Sequence, residues 1–236
     1  MIKSALVTGG AKGIGREVCK TLSQMGYRVY IHCNKSIEEA NALCSELGNA
    51  CVIQADLANP QSVNIIADLC KDVSVIINNA GAPLVDMFDN VSVDASNRLF
   101  QINLLSAMNI VRKILPNMLS RKEGNIVNIS SVFGENGGSC EVDYSTTKAA
   151  LIGFTKALAK EVGPSGIRVN CICPGIIDTD MNENLSFEDI DAICDEIPLG
   201  RMGEPQEIAH CVEFLVSDKS KYITGSIIDI NGGWQA

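Results

Sequence analysis

The 236-residue chain alternates apolar, strand-like segments with segments of helical periodicity from end to end. Strands with one face in water alternate polar and apolar residues, whereas strands that are apolar throughout are buried on both faces, as in a parallel sheet. The segments here are of the second kind. They predict one α/β domain over residues 1–236, with a doubly wound parallel sheet covered by helices on both faces. The seven predicted strands are 5–8, 28–33, 51–54, 73–78, 125–130, 168–173 and 226–230.

Three helices are predicted between the first strands. One opens at Gly13, and the next opens at Ser36, because Ser36–Glu39 has the pattern of a capping box. The third follows Asn59 and has Pro60 in its first turn.

The later part of the chain predicts longer helices over 93–120, 143–162 and 205–217. Pro116 is expected to kink or shorten the first of them. The acidic segment 181–204, with one short helix near 186–196, breaks this rhythm after the sixth strand. Ligands of open α/β sheets bind at the carboxyl ends of the strands, so this segment is predicted to be a lid over the site.

The composition argues against several classes of binding partner. The net charge of −9 and the lack of a basic stripe argue against nucleic acid and anionic membranes. No segment is long and apolar enough to span a bilayer, and the start lacks a signal-peptide pattern, so we expect a cytosolic protein. The ten cysteines form no CxxC pair and are expected to be reduced, and with only two histidines no metal site is predicted.

The first predicted strand ends at Thr8, and the helix after it is opened by three glycines, Gly9, Gly13 and Gly15. Glycine permits a sharp turn and lets a pyrophosphate approach the helix N-terminus. The spacing differs from the G-x-G-x-x-G fingerprint, and Arg16-Glu17 excludes a P-loop, which needs Lys and then Ser or Thr. The segment indicates a dinucleotide site, although a tight strand-to-helix turn would explain the same residues.

Tyr144 and Lys148 are four residues apart in a predicted helix, so both lie on one face with their side chains in reach. A nearby ammonium lowers the pKa of a phenol and makes it a usable proton donor near neutral pH. Ser131 follows the fifth predicted strand. Each residue alone has a simpler explanation, a turn for Ser131 and packing for Tyr144, but together with the glycine-rich segment they indicate a carbonyl reductase.

These residues belong to a larger set of motifs that follow one another along the chain. They are Thr8–Gly15, Asp56-Leu57, Asn78–Gly81, Asn103, Ser131, Tyr144–Lys148, Pro174-Gly175, Tyr222–Gly225 and Asn231–Gly233. With them the chain resembles the short-chain dehydrogenase/reductase family over essentially its whole length. The resemblance implies a Rossmann-like fold and an NAD(P)-dependent oxidoreductase that interconverts a ketone and a secondary alcohol.

The resemblance also implies the catalytic roles. Tyr144 would protonate the carbonyl oxygen, and Ser131 would orient it by a hydrogen bond. Lys148 would lower the pKa of Tyr144 and hold the nicotinamide ribose, and Asn103 would hold a water that links Lys148 to solvent. The implied cofactor-binding residues are Thr8, Gly9, Gly10, Lys12, Gly13, Ile14, Gly15, Asn34, Lys35, Asp56, Leu57, Asn79, Ala80, Gly81, Tyr144, Lys148, Pro174, Gly175, Ile177 and Thr179.

The end of the second strand bears on the choice between NADH and NADPH, because NAD-specific relatives carry an acid there that binds the ribose diol. Here Cys33 is followed by Asn34 and Lys35, so no carboxylate is expected to repel a 2′-phosphate. Lys12 and Lys35 could both contact that phosphate. The sequence predicts NADPH, with two solvated lysines as the simpler interpretation.

Within the family the chain most resembles the bacterial 3-oxoacyl-[acyl-carrier-protein] reductases, through 174–181, 151–154 and 231–233. This implies a homotetramer that reduces 3-oxoacyl thioesters on an acidic carrier protein in fatty acid synthesis. Ser165 stands where that group often has a carrier-gripping arginine, although Arg121 and Lys122 remain as a possible docking patch.

Two other functions stay open. Segments 138–142 and 196–201 resemble reductases of 5-aminopentanone-modified elongation factor P, and Glu141 and Asp143 could attract an amino group. Another small carbonyl compound would suit the same chemistry. A non-catalytic nucleotide sensor is disfavoured, because such proteins usually lose the tyrosine or the lysine, and both are present.

Overall fold

The computed structural model describes residues 3–183 and 185–234. All seven predicted strands are present and form one parallel sheet in the order β3-β2-β1-β4-β5-β6-β7. The strand order therefore reverses direction between β1 and β4, and open α/β sheets form their ligand crevice at such a point. The strands are β1 Ser4–Val7, β2 Arg28–Cys33, β3 Ala50–Gln54, β4 Val75–Asn78, β5 Gly124–Ile129, β6 Ile167–Pro174 and β7 Ile227–Ile230.

Helices cover both faces of this sheet, which confirms the predicted doubly wound architecture. One core lies between the sheet and α1, α2 and α9, and the other lies between the sheet and α3, α5 and α7. The helices are α1 Gly13–Gln24, α2 Ile37–Leu47, α3 Ser62–Leu69, α4 Val93–Phe100, α5 Ser106–Arg121, α6 Phe133–Asn136, α7 Val142–Val162, α8 Phe187–Glu196 and α9 Pro205–Val216.

The two cores explain why the strands are apolar at every position. In β1, Ala5 and Val7 face the first core, and Leu6, which lies between them, faces the second. All three side chains are fully buried. Successive side chains of a strand point to opposite faces, so a strand between two cores needs apolar residues on both.

The helix predicted over 93–120 is not continuous. A π-helical segment, Gln101–Leu105, separates α4 from α5. Pro116 lies inside α5, which runs on to Arg121. Of the two predicted effects, shortening of the helix was wrong, and a kink stays a prediction.

Two predicted helix starts were also wrong in detail. Ser36 precedes α2 but makes no side-chain cap, because Glu39 pairs with Lys12 on the neighbouring loop instead of closing a capping box. Pro60 lies before α3 and outside its first turn. A complete capping box occurs instead at α8, between Ser186 and Asp189.

Within residues 3–183 and 185–234, none of the helices has the length and apolarity that crossing a bilayer requires.

Candidate active site

The loop between β1 and α1 is built around a contact that only glycine allows. A Cβ on Gly15 would lie 2.1 Å from the carbonyl oxygen of Gly9, far inside van der Waals contact. Gly9 itself has a φ of +64°, in the left-handed region that glycine adopts without strain. The start of α1 therefore packs directly on the loop, which leaves a bare backbone cradle at the helix N-terminus, suited to a pyrophosphate.

Thr8 and Asn79 fasten this loop to the end of β4. The Thr8 hydroxyl accepts hydrogen bonds from the backbone amides of Asn79 and Ala80, each at 3.0 Å. The Asn79 amide group donates to the carbonyl oxygens of Thr8 and Gly9, at 3.0 and 3.1 Å. These four predicted cofactor residues thus shape the crevice between β1 and β4.

His32 supports the same loop from β2, and the sequence analysis missed it. Its Nδ1 accepts the backbone N–H of Gly9 at 3.1 Å, and its Nε2 lies 3.1 Å from the carbonyl oxygen of Ala55. Nε2 must therefore carry the proton and donate it to Ala55. Burial lowers the pKa of His32 to about 4, so the ring is neutral at pH 7 and can accept from Gly9.

The other predicted residues of the loop have structural partners. Gly10 is buried and donates its N–H to the carbonyl oxygen of His32 at 2.8 Å. Ile14 packs against the first core. A Cβ on Gly13 would lie 3.0 Å from the methyl group of Thr179, so the loop meets the segment that follows β6.

The predicted adenosine side lies at the carboxyl ends of β2 and β3. The Asp56 carboxylate accepts from the Ala58 amide at 2.9 Å and from the Asn34 side chain at 3.3 Å. Leu57 is buried in the second core, so only its backbone can face a ligand. Lys35 is exposed beside Asn34.

Lys12 does not stand free. Its Nζ lies 2.9 Å from a carboxylate oxygen of Glu39 and 3.2 Å from one of Asp180. The pKa of the Cys33 thiol is raised by burial and, to a smaller degree, by the nearby Glu39 carboxylate. The expectation that no carboxylate lies near the end of β2 was therefore wrong, since Glu39 reaches this place from the first turn of α2.

The predicted catalytic residues meet at the carboxyl end of β5. Ser131 follows this strand, and Tyr144 and Lys148 lie one turn apart on α7; all three are buried. The Lys148 ammonium donates to the carbonyl oxygen of Ile129 at 2.9 Å and lies 5.6 Å from the centre of the Tyr144 ring. The four-residue spacing thus places both side chains on the face that packs against the sheet.

The electrostatics of the pair differ from the expectation. Burial raises the pKa of Tyr144 to about 12; the Ser131 hydroxyl opposes this rise and the Glu141 carboxylate adds to it. Burial lowers the pKa of Lys148 to about 8. The prediction of a lowered tyrosine pKa was wrong for the protein by itself, because desolvation by burial is the largest influence on the phenol. Tyr144 is therefore protonated at pH 7, the state that a proton donor needs.

Asn103 lies in the π-helical segment, and its side chain is fully engaged. Its Oδ1 accepts from the Ala82 amide at 2.8 Å, while its Nδ2 donates to the Ala82 carbonyl at 3.0 Å and to the Thr147 hydroxyl at 3.2 Å. A Cβ on Gly81 would lie 3.3 Å from Lys148 Nζ and 3.6 Å from Asn103 Oδ1. Gly81, Asn103 and Lys148 thus converge. π-Helical turns are frequent at functional sites, but no motif in the sequence predicts this one.

Of the cofactor residues predicted at the end of β6 and after it, some are buried or closely packed and one reaches the glycine-rich loop. Pro174 is buried at the end of the strand, and Gly175 packs so closely on Asn231 that a Cβ would come within 2.8 Å of its Cα. The Ile177 side chain belongs to the first core, so only its backbone is available to a cofactor. Thr179 reaches the glycine-rich loop as described above.

Most of the predicted lid, 181–204, lies between two residues that pair with each other. Ile177 and Gly203 form a parallel bridge, and the segment between them is called the excursion below. Helix α8 has no buried residue within it, and Phe187 at its start is 87% exposed. Directly after α8, Ile197 packs with Val132 and Trp234 in a small core, so the end of the excursion is anchored beside Ser131.

Comparisons with known proteins agree with this geometry. A family model described as short chain dehydrogenase matches residues 3–189. The chain belongs to the short-chain dehydrogenase/reductase family. It is 39% identical to the uncharacterized oxidoreductase YmfI of Bacillus subtilis, over 99% of both chains. It is 40% identical to the 3-oxoacyl-[acyl-carrier-protein] reductase FabG of Aquifex aeolicus, over 98% of this chain and 96% of that one.

A solved structure gives the same result. A Beutenbergia cavernae protein provisionally named as an NAD(P)-dependent gluconate 5-dehydrogenase, with NADP bound at low occupancy, superposes with a TM-score of 0.94. The two share 29% sequence identity over 98% of this chain and 96% of the other. The chain is thus an oxidoreductase of a family that uses NAD(P), as its motifs predicted.

The close packing at Gly15 generates a prediction. Gly15→Ala should abolish measurable NADPH binding and lower the thermal midpoint of unfolding, because the methyl group forces the loop away from Gly9. Gly153→Ala in α7 is the matched control: a Cβ there meets nothing within 4 Å, and alanine is favoured over glycine in a helix by up to ~1 kcal/mol. Fluorescence titration with NADPH and a thermal melt measure both. Wild-type affinity in Gly15→Ala would contradict the assigned role of the loop.

The neutral His32 ring predicts a pH dependence. Its folded pKa of about 4 lies below the ordinary 6.5, so the unfolded chain takes up a proton first as the pH falls. Stability should be greatest above pH 6.5 and should decline between pH 6.5 and 4 by up to about 3 kcal/mol from this residue. Urea denaturation at several pH values measures it. His32→Gln should lose this component of the pH dependence; an unchanged profile would refute the assignment.

Proposed function

We propose that the protein is an NADPH-dependent reductase that converts a ketone to a secondary alcohol, and that its substrate is a 3-oxoacyl thioester on an acyl carrier protein. The observation that carries the reaction type is the buried group of Ser131, Tyr144 and Lys148 beside the glycine-rich crevice. The substrate class is supported by the relatives named as FabG, which the chain matches over nearly its full length.

The crevice fits a dinucleotide. The contact between Gly15 and Gly9 leaves backbone where a pyrophosphate needs it, and the turn at β1 and β4 opens to the same side. Gly81 adjoins Lys148, which gives a ribose access to the lysine ammonium. Lys12 and Lys35 supply positive charge on the adenosine side and support NADPH. When bound, this cofactor supplies the hydride.

The chain's own residues supply the proton and its placement. Tyr144 and Ser131 are two hydroxyl donors aimed at one carbonyl oxygen, where negative charge grows during reduction. Tyr144 is protonated at pH 7 and gives up its proton to that oxygen. Lys148 has a pKa of about 8, close to physiological pH. Its positive charge stabilises the resulting phenolate, and it then donates a proton to the phenolate oxygen. Asn103 holds the turn at Ala82 and Thr147, so the lysine keeps a fixed position.

The proposal is tested with acetoacetyl-CoA, a small surrogate for a carrier-bound 3-oxoacyl group. The wild type should oxidise NADPH in its presence, and Tyr144→Phe should lower kcat by about 10²- to 10⁴-fold, because only the proton donor is lost. Binding of NADPH should stay within about twofold, since the phenol ring remains in place. The measurements are the loss of NADPH absorbance and a fluorescence titration.

Two results would decide against the reaction as written. Turnover by Tyr144→Phe at the wild-type rate would remove the tyrosine from the chemistry. Tight NADPH binding by the wild type without turnover of acetoacetyl-CoA would exclude the thioester as substrate. The protein would then be a reductase of a different ketone.

One observation favours a second substrate, a ketone that carries an ammonium group, such as the 5-aminopentanone modification of elongation factor P. Glu141 directly precedes α7 and lies close enough to Tyr144 to raise its pKa. The pKa of Glu141 is itself raised by burial. A half-buried carboxylate at this place opposes the phenolate that reduction forms, and an ammonium group on the substrate would offset that cost.

Glu141→Gln separates the two substrates. For 5-(trimethylammonio)pentan-2-one, whose quaternary ammonium cannot condense with the ketone, the variant should lose about tenfold in kcat/KM if the ammonium pairs with Glu141, whereas acetoacetyl-CoA should change less than about twofold. Glu161→Gln, an exposed acid at the far end of α7, is the control. Equal changes for both ketones would refute the pairing and leave the thioester as the proposed substrate.

A further inference from the structure

Lys12 joins three parts of the cofactor crevice through two ion pairs. It lies in the loop after β1, Glu39 lies in the first turn of α2, and Asp180 lies just after β6. The three side chains are about half exposed, with side-chain exposures of 46%, 42% and 64%. A polar ligand can therefore reach and exchange these contacts, which a buried pair would resist.

The position of Glu39 matters because of where the adenosine ribose binds. In doubly wound folds the residues after the second strand meet the ribose 2′ position. Here β2 ends at Cys33, and α2 begins at Ile37, four residues later. Glu39 is thus in the first turn of the helix that follows β2, and its partner Lys12 is on the adjacent glycine-rich loop.

The Glu39 carboxylate already has the contacts of an anion bound at the start of a helix. It pairs with the Lys12 ammonium, and its own backbone N–H also contributes to holding the pKa of the carboxyl below its usual value. Ser36 provides no side-chain cap, so its side chain does not use the amides of the first turn of α2. Amides at a helix N-terminus and a lysine are the groups that a phosphate would use.

We propose that Glu39 is a specificity-determining residue that occupies the place of the 2′-phosphate and so limits the preference for NADPH over NADH. NADPH must share Lys12 with this carboxylate and sit beside its charge, whereas NADH carries no phosphate there and is indifferent to it. The inference rests on the proposed use of NADPH. Asp180 keeps Lys12 in place when Glu39 loses its charge, so the lysine stays available to the phosphate.

The test is Glu39→Gln, which keeps the size of the side chain and removes the charge. Isothermal titration with 2′,5′-ADP, which carries the 2′-phosphate without the nicotinamide, and with 5′-AMP, which lacks it, measures binding without any turnover. The variant should bind 2′,5′-ADP about five- to tenfold more tightly and 5′-AMP within about twofold. The gain should shrink at high salt, because these charges are exposed. The same variant should lower the KM for NADPH and leave the KM for NADH unchanged.

Glu38→Gln is the matched control, since Glu38 is the exposed acid next to Glu39 in the same turn. It should change neither affinity by more than about twofold, which separates a local contact from the general field of the acidic surface. An equal gain in Glu38→Gln would overturn the inference, as would unchanged 2′,5′-ADP binding in Glu39→Gln with a wild-type thermal midpoint. Tighter binding of NADH than of NADPH by the wild type would overturn the proposed cofactor, and 2′,5′-ADP binding would still report on Glu39.

Discussion

The site depends on how Lys148 is held between α7 and the end of β5. Its ammonium donates to the carbonyl oxygen of Ile129, and its own backbone carbonyl accepts from the Ser130 hydroxyl at 2.8 Å. A Cβ on Gly134 would come within 2.8 Å of the Lys148 backbone, so α6 also packs against this turn. The catalytic helix is thus fixed to the strand that delivers Ser131, and the positions of all three catalytic candidates follow from these contacts.

This attachment has an electrostatic consequence. An ammonium buried against a carbonyl keeps a hydrogen bond but loses hydration, and its pKa falls to about 8. Tyr144 is buried by the same packing, and its pKa rises to about 12. Burial therefore brings the pKa of Lys148 close to physiological pH and keeps Tyr144 protonated at pH 7. On the adenosine side the charges of Lys12, Glu39 and Asp180 are exposed and paired, so added salt weakens their contacts more than it weakens the buried contacts of Lys148.

The sequence predicted the features that repeat or that depend on near neighbours. The strands were predictable because both faces meet a core, and the Tyr144–Lys148 pair was predictable because a helix sets their spacing. The π-helical turn that holds Asn103 could not be predicted, since only its contacts with Ala82 and Thr147 distinguish it from the helices on either side. The role of His32 depends on partners in two other segments. Glu39 was misjudged for a related reason: its local pattern fits a capping box, and a cation on another loop prevails.

The excursion between Ile177 and Gly203 is attached to the rest of the fold near both of its ends. Its base is closed by a bridge, its helix α8 buries nothing, and its far end packs on Val132 and Trp234 beside Ser131. Segments with few buried contacts open at low free energy, whereas their anchored ends do not. We therefore expect α8 to open at a lower free energy than the contact at Ile197, which is the arrangement that a substrate lid requires. Asp180 lies near the start of the excursion and pairs with Lys12, so we expect a ligand that draws Lys12 toward itself to act on this segment as well.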